Sequence, residues 1–184
     1  LRTRRQRQMC IRDSSSIAHA GYMLLAMPVM SGDSIYAIMI YLLMYLFMNL
    51  GAFFVVIIVK NKTGGESFDD YKGLGWEMPF VGAAMTLFMV SLTGLPPTAG
   101  FIGKFYLFAS LINGGSAFYW LVVIGGINSV VSLYYYLRVV KVMYFDGERS
   151  DKISFPSKAL TGALIVTALP SLILGIYWLS LIHI

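Results

Sequence analysis

The sequence predicts an all-α membrane protein, a polytopic bundle of five transmembrane helices with one of them broken. Three observations carry that expectation. The chain is 58% hydrophobic and only 12% charged, whereas soluble domains sit near a quarter charged. The charges lie between long apolar runs rather than within them. One of those runs is interrupted by two adjacent prolines, three glycines and a lysine, in Leu92-Thr-Gly-Leu-Pro-Pro-Thr-Ala-Gly-Phe-Ile-Gly-Lys-Phe-Tyr-Leu-Phe108.

The helices are expected at about 15–30, 35–59, 78–112, 117–141 and 159–178. Ile35 to Val59 is a run of 25 residues with no acid or base, and about 20 apolar residues span a bilayer core of roughly 30 Å. Ala117–Leu137 and Ala159–Ile182 are likewise uncharged. The first run, Ser15 to Met30, is shorter and carries His19. The third, Met78 to Ile112, would be about 50 Å long as one helix, more than tilt absorbs easily. Two prolines in a row stop a helix, because each lacks an N–H and clashes with the preceding turn. Gly94 and Gly100 bracket Pro96 and Pro97 and permit unusual dihedrals. A break at membrane depth requires burial in protein or a wet cavity, so this segment is expected at the centre. A simple proline kink in a long helix is the bland alternative.

Charge decides between one broken span and a tight hairpin at Pro96–Pro97. With one span, the connections on one side carry Lys60, Lys62, Lys72, Arg138, Lys141, Arg149, Lys152 and Lys158, and those on the other carry no lysine or arginine. With a hairpin the same eight residues would split three against five, and 100–112 would have to span alone at about 20 Å. The positive-inside rule therefore favours one span, with the basic side cytoplasmic and the C-terminus outward.

The formal charge of +5 does not suggest nucleic acid, because the basic residues cluster between the apolar runs, where lysine and arginine set topology. Cys10 alone gives no disulfide and no zinc pattern. No dinucleotide fingerprint, phosphate loop or metal-spaced histidine pair is present. The first residue is Leu1, and a longer parent protein is expected. Residues 1–14 are polar and basic with no signal-peptide cleavage pattern. Arg5–Ser14 and Leu179–Ile184 resemble translated sequencing-adapter read-through, which leaves 15–178 as the expected membrane domain.

Lys104 is the one lysine or arginine inside the apolar runs; Arg138 and Lys141 end the fourth helix, beyond its uncharged run Ala117–Leu137. A lysine at the bilayer centre costs about 2.5–3.5 kcal/mol on insertion scales. It could snorkel to an interface, but six apolar or aromatic residues, Phe105 to Phe108 with Leu111 and Ile112, still follow it. It could sit in an ion pair, but no Asp or Glu lies in the five runs, so the partner would come from elsewhere. It could titrate, since burial favours a neutral amine and an amine balanced between two forms can load and release a proton. His19 could satisfy hydrogen bonds or belong to a relay, with Ser16 and Tyr22 nearby in sequence. Tyr41, Tyr45 and Asn49 stand at i, i+4 and i+8, on one helix face. They fit interhelix hydrogen bonding or a polar proton path. Asn128, Ser129, Ser132 and Tyr134–Tyr136 admit the same two readings.

Ser15-Ser-Ile-Ala-His-Ala-Gly-Tyr22, Tyr71-Lys-Gly-Leu74, the Leu92–Tyr106 stretch and Leu133-Tyr-Tyr-Tyr-Leu-Arg-Val139 resemble the C-terminal part of subunit N of proton-pumping NADH–quinone oxidoreductase, respiratory complex I. That family is one of antiporter-like membrane subunits. The resemblance implies the second half of an inverted-repeat fold. It matches Lys104 to the family's proton-transferring lysine, and His19 to a polar position on its central hydrophilic axis. It implies partners among the other membrane subunits and lipid, in a bacterial inner membrane. No cofactor is expected in this chain: NADH, flavin, iron–sulfur clusters and quinone would belong to other subunits. Ile11-Arg12-Asp13 departs from the family's lead into Ser15. A multisubunit cation/proton antiporter, a membrane-bound hydrogenase of the same superfamily, and a structural scaffold remain as alternatives.

Overall fold

The computed structural model describes residues 16–65, 67–146 and 156–182. The expectations for 1–14, and for Ser15, Arg149, Lys152 and 183–184, lie outside these residues. Seven helices are described. They are α1 (Ser16–Val29), α2 (Gly32–Thr63), α3 (Leu74–Glu77), α4 (Pro79–Thr93), α5 (Ala99–Asn113), α6 (Tyr119–Tyr144) and α7 (Lys158–Ile182). No strand is found among the described residues.

Local chemistry sets the ends. Between α1 and α2, Ser31 and Ser34 each accept the other's backbone N–H, a reciprocal box that satisfies groups a helix start leaves unpaired. α2, α6 and α7 are long and apolar enough to cross a bilayer, while α1 and α5 are shorter. α4 and α5 have 15 residues each, about 22 Å apiece.

Those two halves form one pass along α2. Lys62 near the end of α2 pairs with Glu77 just before α4. Going back along α2, Gly51 faces Phe88, Met48 faces both Ser91 and Gly100, and Tyr41 faces Gly103. Tyr36, near the start of α2, meets Tyr106 edge to face. The partners of α2 thus advance without reversal from α4 into α5, which a hairpin at the prolines would forbid. α1 returns beside α6, with His19 at Tyr136 and Tyr22 at Gly125. α7 begins beside Ile58 and Met78 and reaches the break, where Gly175 lies against Pro97 and Thr98.

The connection between α2 and the third span is more structured than its charges suggest. It contains a 3-10 turn, Phe68–Tyr71, and α3. The 68–77 segment meets α4 at 118°. Tyr71 and Leu74 are buried, and the Trp76 indole donates to the carbonyl of Tyr144 at 2.9 Å. Apolar residues on this elbow cover the end of the bundle, and its charges pair locally, Lys72 with Asp69 at 2.8 Å.

The break has defined geometry. Gly94 adopts φ 83, the left-handed conformation that favours glycine. Its N–H reaches Ser91, and the Leu95 N–H reaches Val90. That paired closure is a Schellman end. α5 does not start beyond α4 but beside its last turn. A Cβ on Gly100 would lie 1.7 Å from the Ser91 carbonyl oxygen, so only glycine fits. The Gly100 N–H, an orphan of the new helix start, donates to Ser91 Oγ at 3.2 Å.

Gly100→Ala is therefore expected to destabilise the fold by about 1–3 kcal/mol through overpacking, read as a lower thermal unfolding midpoint of the purified protein. Gly126→Ala, with no atom near its added Cβ, is expected to leave the midpoint unchanged or raise it. Equal midpoints for the two variants would contradict the close approach of α4 and α5.

Candidate functional site

The site begins with a missing hydrogen. In an unbroken helix the Thr93 carbonyl would accept from the N–H of residue 97. Residue 97 is proline and has none. The carbonyl is instead taken by Lys104, whose Nζ donates to Thr93 O at 2.7 Å. Nζ also donates to Ser129 Oγ at 2.8 Å, and Ser129 Oγ in turn donates to Thr93 O at 3.1 Å. The ammonium sits 4.6 Å from the centroid of the Tyr22 ring, a cation–π distance. The C-terminal end of α4 adds partial negative charge. Lys104 is only 5% exposed. No carboxylate pairs with it among the described residues. Its surroundings are one carbonyl, one hydroxyl and one aromatic face.

A second polar group lies one residue further. His19 is 2% exposed. Its Nδ1 lies 2.6 Å from the Tyr41 hydroxyl and its Nε2 lies 3.1 Å from the Tyr136 hydroxyl. In a neutral imidazole one nitrogen donates and the other accepts, and a phenol can take either part. Tyr45 packs its ring 4.8 Å from the histidine. Tyr22 connects the two groups: its ring centroid is 6.1 Å from His19, and Lys104 lies over its face. The Tyr22 hydroxyl donates to Gly125 O at 3.3 Å and faces Asn128, Ser129 and Ser132. Four helices thus converge on one buried line: α5 with Lys104, α1 with Tyr22 and His19, α2 with Tyr41 and Tyr45, and α6 with Ser129 and Tyr136.

The expected site residues are not all brought together. Lys104, His19, Tyr22, Tyr41 and Tyr45 meet, and Gly94, Pro96, Pro97 and Gly100 form the break beside them. Ser16 is exposed one turn before His19. Asn49 is half-buried, and no hydrogen bond joins it to the cluster among the described residues. Of the run Tyr134–Tyr136, Tyr134 and Tyr135 point outward and Tyr136 faces in. Thr93 was given no role by the sequence reading. The signal for it was present in the proline four residues later, which had to leave one carbonyl free. Every buried side-chain nitrogen and oxygen has a partner among the described residues, and no group of three His, Cys, Asp or Glu is placed for a metal among them.

Residues 11–132 match the family model described as NADH:quinone oxidoreductase/Mrp antiporter, transmembrane. The chain is 53% identical over 168 residues to NADH-quinone oxidoreductase subunit N 2 of Sorangium cellulosum, covering 89% of this chain and 33% of that protein. It is 58% identical over 130 residues to the subunit N of Chlorobium chlorochromatii, covering 71% and 25%. A chain of respiratory complex I from Thermus thermophilus with bound aureothin superposes with a TM-score of 0.69 at 30% identity, covering 88% of this chain and 36% of that one. The chain spans about a third or less of the length of these relatives. It is an all-α, multi-pass membrane chain, and it belongs to the NADH:quinone oxidoreductase/Mrp antiporter transmembrane family.

Proposed function

We propose that this chain is part of a proton-translocating membrane subunit of an NADH–quinone oxidoreductase, and that Lys104 carries the transferred proton. The supporting observation is the company that Lys104 keeps. Its ammonium is buried against Thr93 O, Ser129 Oγ and the Tyr22 ring, all of them neutral. A buried ion pair would fix the charge in place, because breaking it leaves an uncompensated ion. An ammonium held by neutral groups has no such lock. A unit charge appearing about 8 Å away, at an effective dielectric of about 20, changes its energy by about 2 kcal/mol. That is roughly thirtyfold in its proton occupancy, enough to drive loading and release.

His19 is the intermediate on the approach. Its two tyrosine partners let it pass a proton without leaving an unpaired buried nitrogen. NADH, flavin, iron–sulfur clusters and quinone are assigned to other subunits, whose reduction chemistry supplies the driving charge. The neighbouring antiporter-like subunits and the bilayer are the partners. The basic ends of α2 and α6 then face the cytoplasm of a bacterium, and the C-terminus faces outward. A cation/proton antiporter reading has one observation in its favour, the Mrp antiporter in the family description. Sodium-dependent proton movement without NADH oxidation, in vesicles containing the assembled complex, would favour it.

Lys104→Arg is the decisive variant, because guanidinium keeps the charge and does not deprotonate in proteins. In membrane vesicles holding the assembled complex, it is expected to lower NADH-driven proton translocation by about 10²-fold with normal assembly on a native gel. Wild-type rates would leave Lys104 with a structural role only. His19→Gln, which can still donate and accept but cannot titrate, is expected to slow translocation less than Lys104→Arg does. Full activity in that variant would reduce His19 to a hydrogen-bonding residue.

A further inference from the structure

The two hydrogen-bond partners of Lys104 are chemically unequal. Thr93 O is a carbonyl oxygen and can only accept, whereas Ser129 Oγ belongs to a hydroxyl and can accept or donate. The charged amine uses both as acceptors. A neutral amine has a lone pair that needs a donor, and Thr93 O cannot provide one. Tyr22 offers Lys104 its ring face, and its hydroxyl donates to Gly125 O while lying beside Ser129. Ser129 is therefore the partner, among the described residues, that can serve both forms of the lysine. Its hydrogen presently goes to Thr93 O at 3.1 Å. Nζ, Oγ and the carbonyl close a three-membered ring, so rotation about one Cβ–Oγ bond moves that hydrogen from the carbonyl to the amine. The backbone supports the placement. Gly125, Ser129, Ser132 and Tyr136 share one face of α6, turned toward Tyr22, Lys104 and His19.

We propose that Ser129 is a positioning residue for proton transfer at Lys104. Its hydroxyl accepts from the ammonium, and on deprotonation it swings its own hydrogen from Thr93 O to the amine nitrogen. The serine keeps its proton throughout, and Nζ stays at one place in both states. This inference rests on the relay reading of Lys104. It adds to that reading the group that makes the neutral amine tolerable in a buried site, where an unpaired polar atom is costly.

The test uses NADH-driven proton translocation in vesicles holding the assembled complex. Ser129→Ala is expected to slow translocation about tenfold, the effect of leaving one buried polar atom unpaired, with normal assembly on a native gel. Ser129→Thr is expected to work near the wild-type rate. Ser129→Val, the shape of threonine without its hydroxyl, is expected to match Ser129→Ala, so the Thr and Val pair decides even if alanine disturbs packing. The pH profile of translocation separates a swinging hydroxyl from a static acceptor: an acceptor alone serves only the ammonium, so its loss in Ser129→Ala would move the profile to lower pH, whereas a hydroxyl that serves both forms leaves the profile in place. A shift of the profile to lower pH in Ser129→Ala would overturn the proposal. So would wild-type rates in Ser129→Ala, or failure of threonine to outperform valine. Lys104→Arg in the same vesicles separates the two claims. If it is inactive while Ser129→Ala pumps normally, only the role of Ser129 falls. If it pumps normally, the relay reading falls and this inference with it.

Discussion

The carbonyl of Thr93 is the group on which the rest of this site depends. Pro97 removes the N–H that would have paired it, so the helix break creates an acceptor in a place where water is scarce. An unpaired buried carbonyl is costly, and Lys104 resolves the cost by donating to it. The lysine needs the break for the same reason. A carbonyl at the end of α4, with the partial negative charge of the helix terminus, is one of few neutral groups that can accept an ammonium at depth. The free carbonyl and the buried ammonium satisfy each other, with Ser129 as a second donor to Thr93 O, and that pairing gives proline and lysine a shared reason to occur in one apolar run.

The surrounding helices are arranged to make that exchange possible. Ser91 accepts the Gly100 N–H and donates to Met48 Sδ at 2.7 Å, tying the start of α5 and the middle of α2 to the last turn of α4. α7 closes over the prolines, and α6 brings Ser129 to the lysine and Tyr136 to the histidine. In lipid there is no hydrophobic drive between helices, and close packing and interhelix hydrogen bonds do the work. The fully buried Phe88, Ile102 and Met143 supply the packing between the polar contacts. The polar groups are concentrated where the break would otherwise leave gaps.

Much of the fold was legible from the sequence. The apolar runs at 35–59, 117–141 and 159–178 correspond to α2, α6 and α7, which extend a few residues further because helices continue past the apolar core into polar surroundings. The excess length of 78–112 pointed to a break, and the partners along α2 place α4 and α5 in one pass. The surroundings of Lys104 were less legible. Ser129 lies 25 residues away on another helix, and nothing in its local pattern singles it out from Ser132. Asn49 shows how a correct period can mislead. Residues eight apart are rotated by about 80° on an α-helix of 3.6 residues per turn. Tyr41 and Tyr45 reach His19, and by Asn49 the face has turned away.

The shortness of α4 and α5 has a consequence for biogenesis. Each half is about 22 Å long, less than the hydrocarbon core, and one of them carries a lysine. Partitioning either half alone is less favourable than partitioning the two together, since α5 alone carries an ammonium that costs about 2.5–3.5 kcal/mol at the bilayer centre and α4 alone leaves Thr93 O without its donor from α5. Entry as a pair seats Nζ on Thr93 O and relieves both costs at once, so the contact between the two halves favours the third pass entering as a unit.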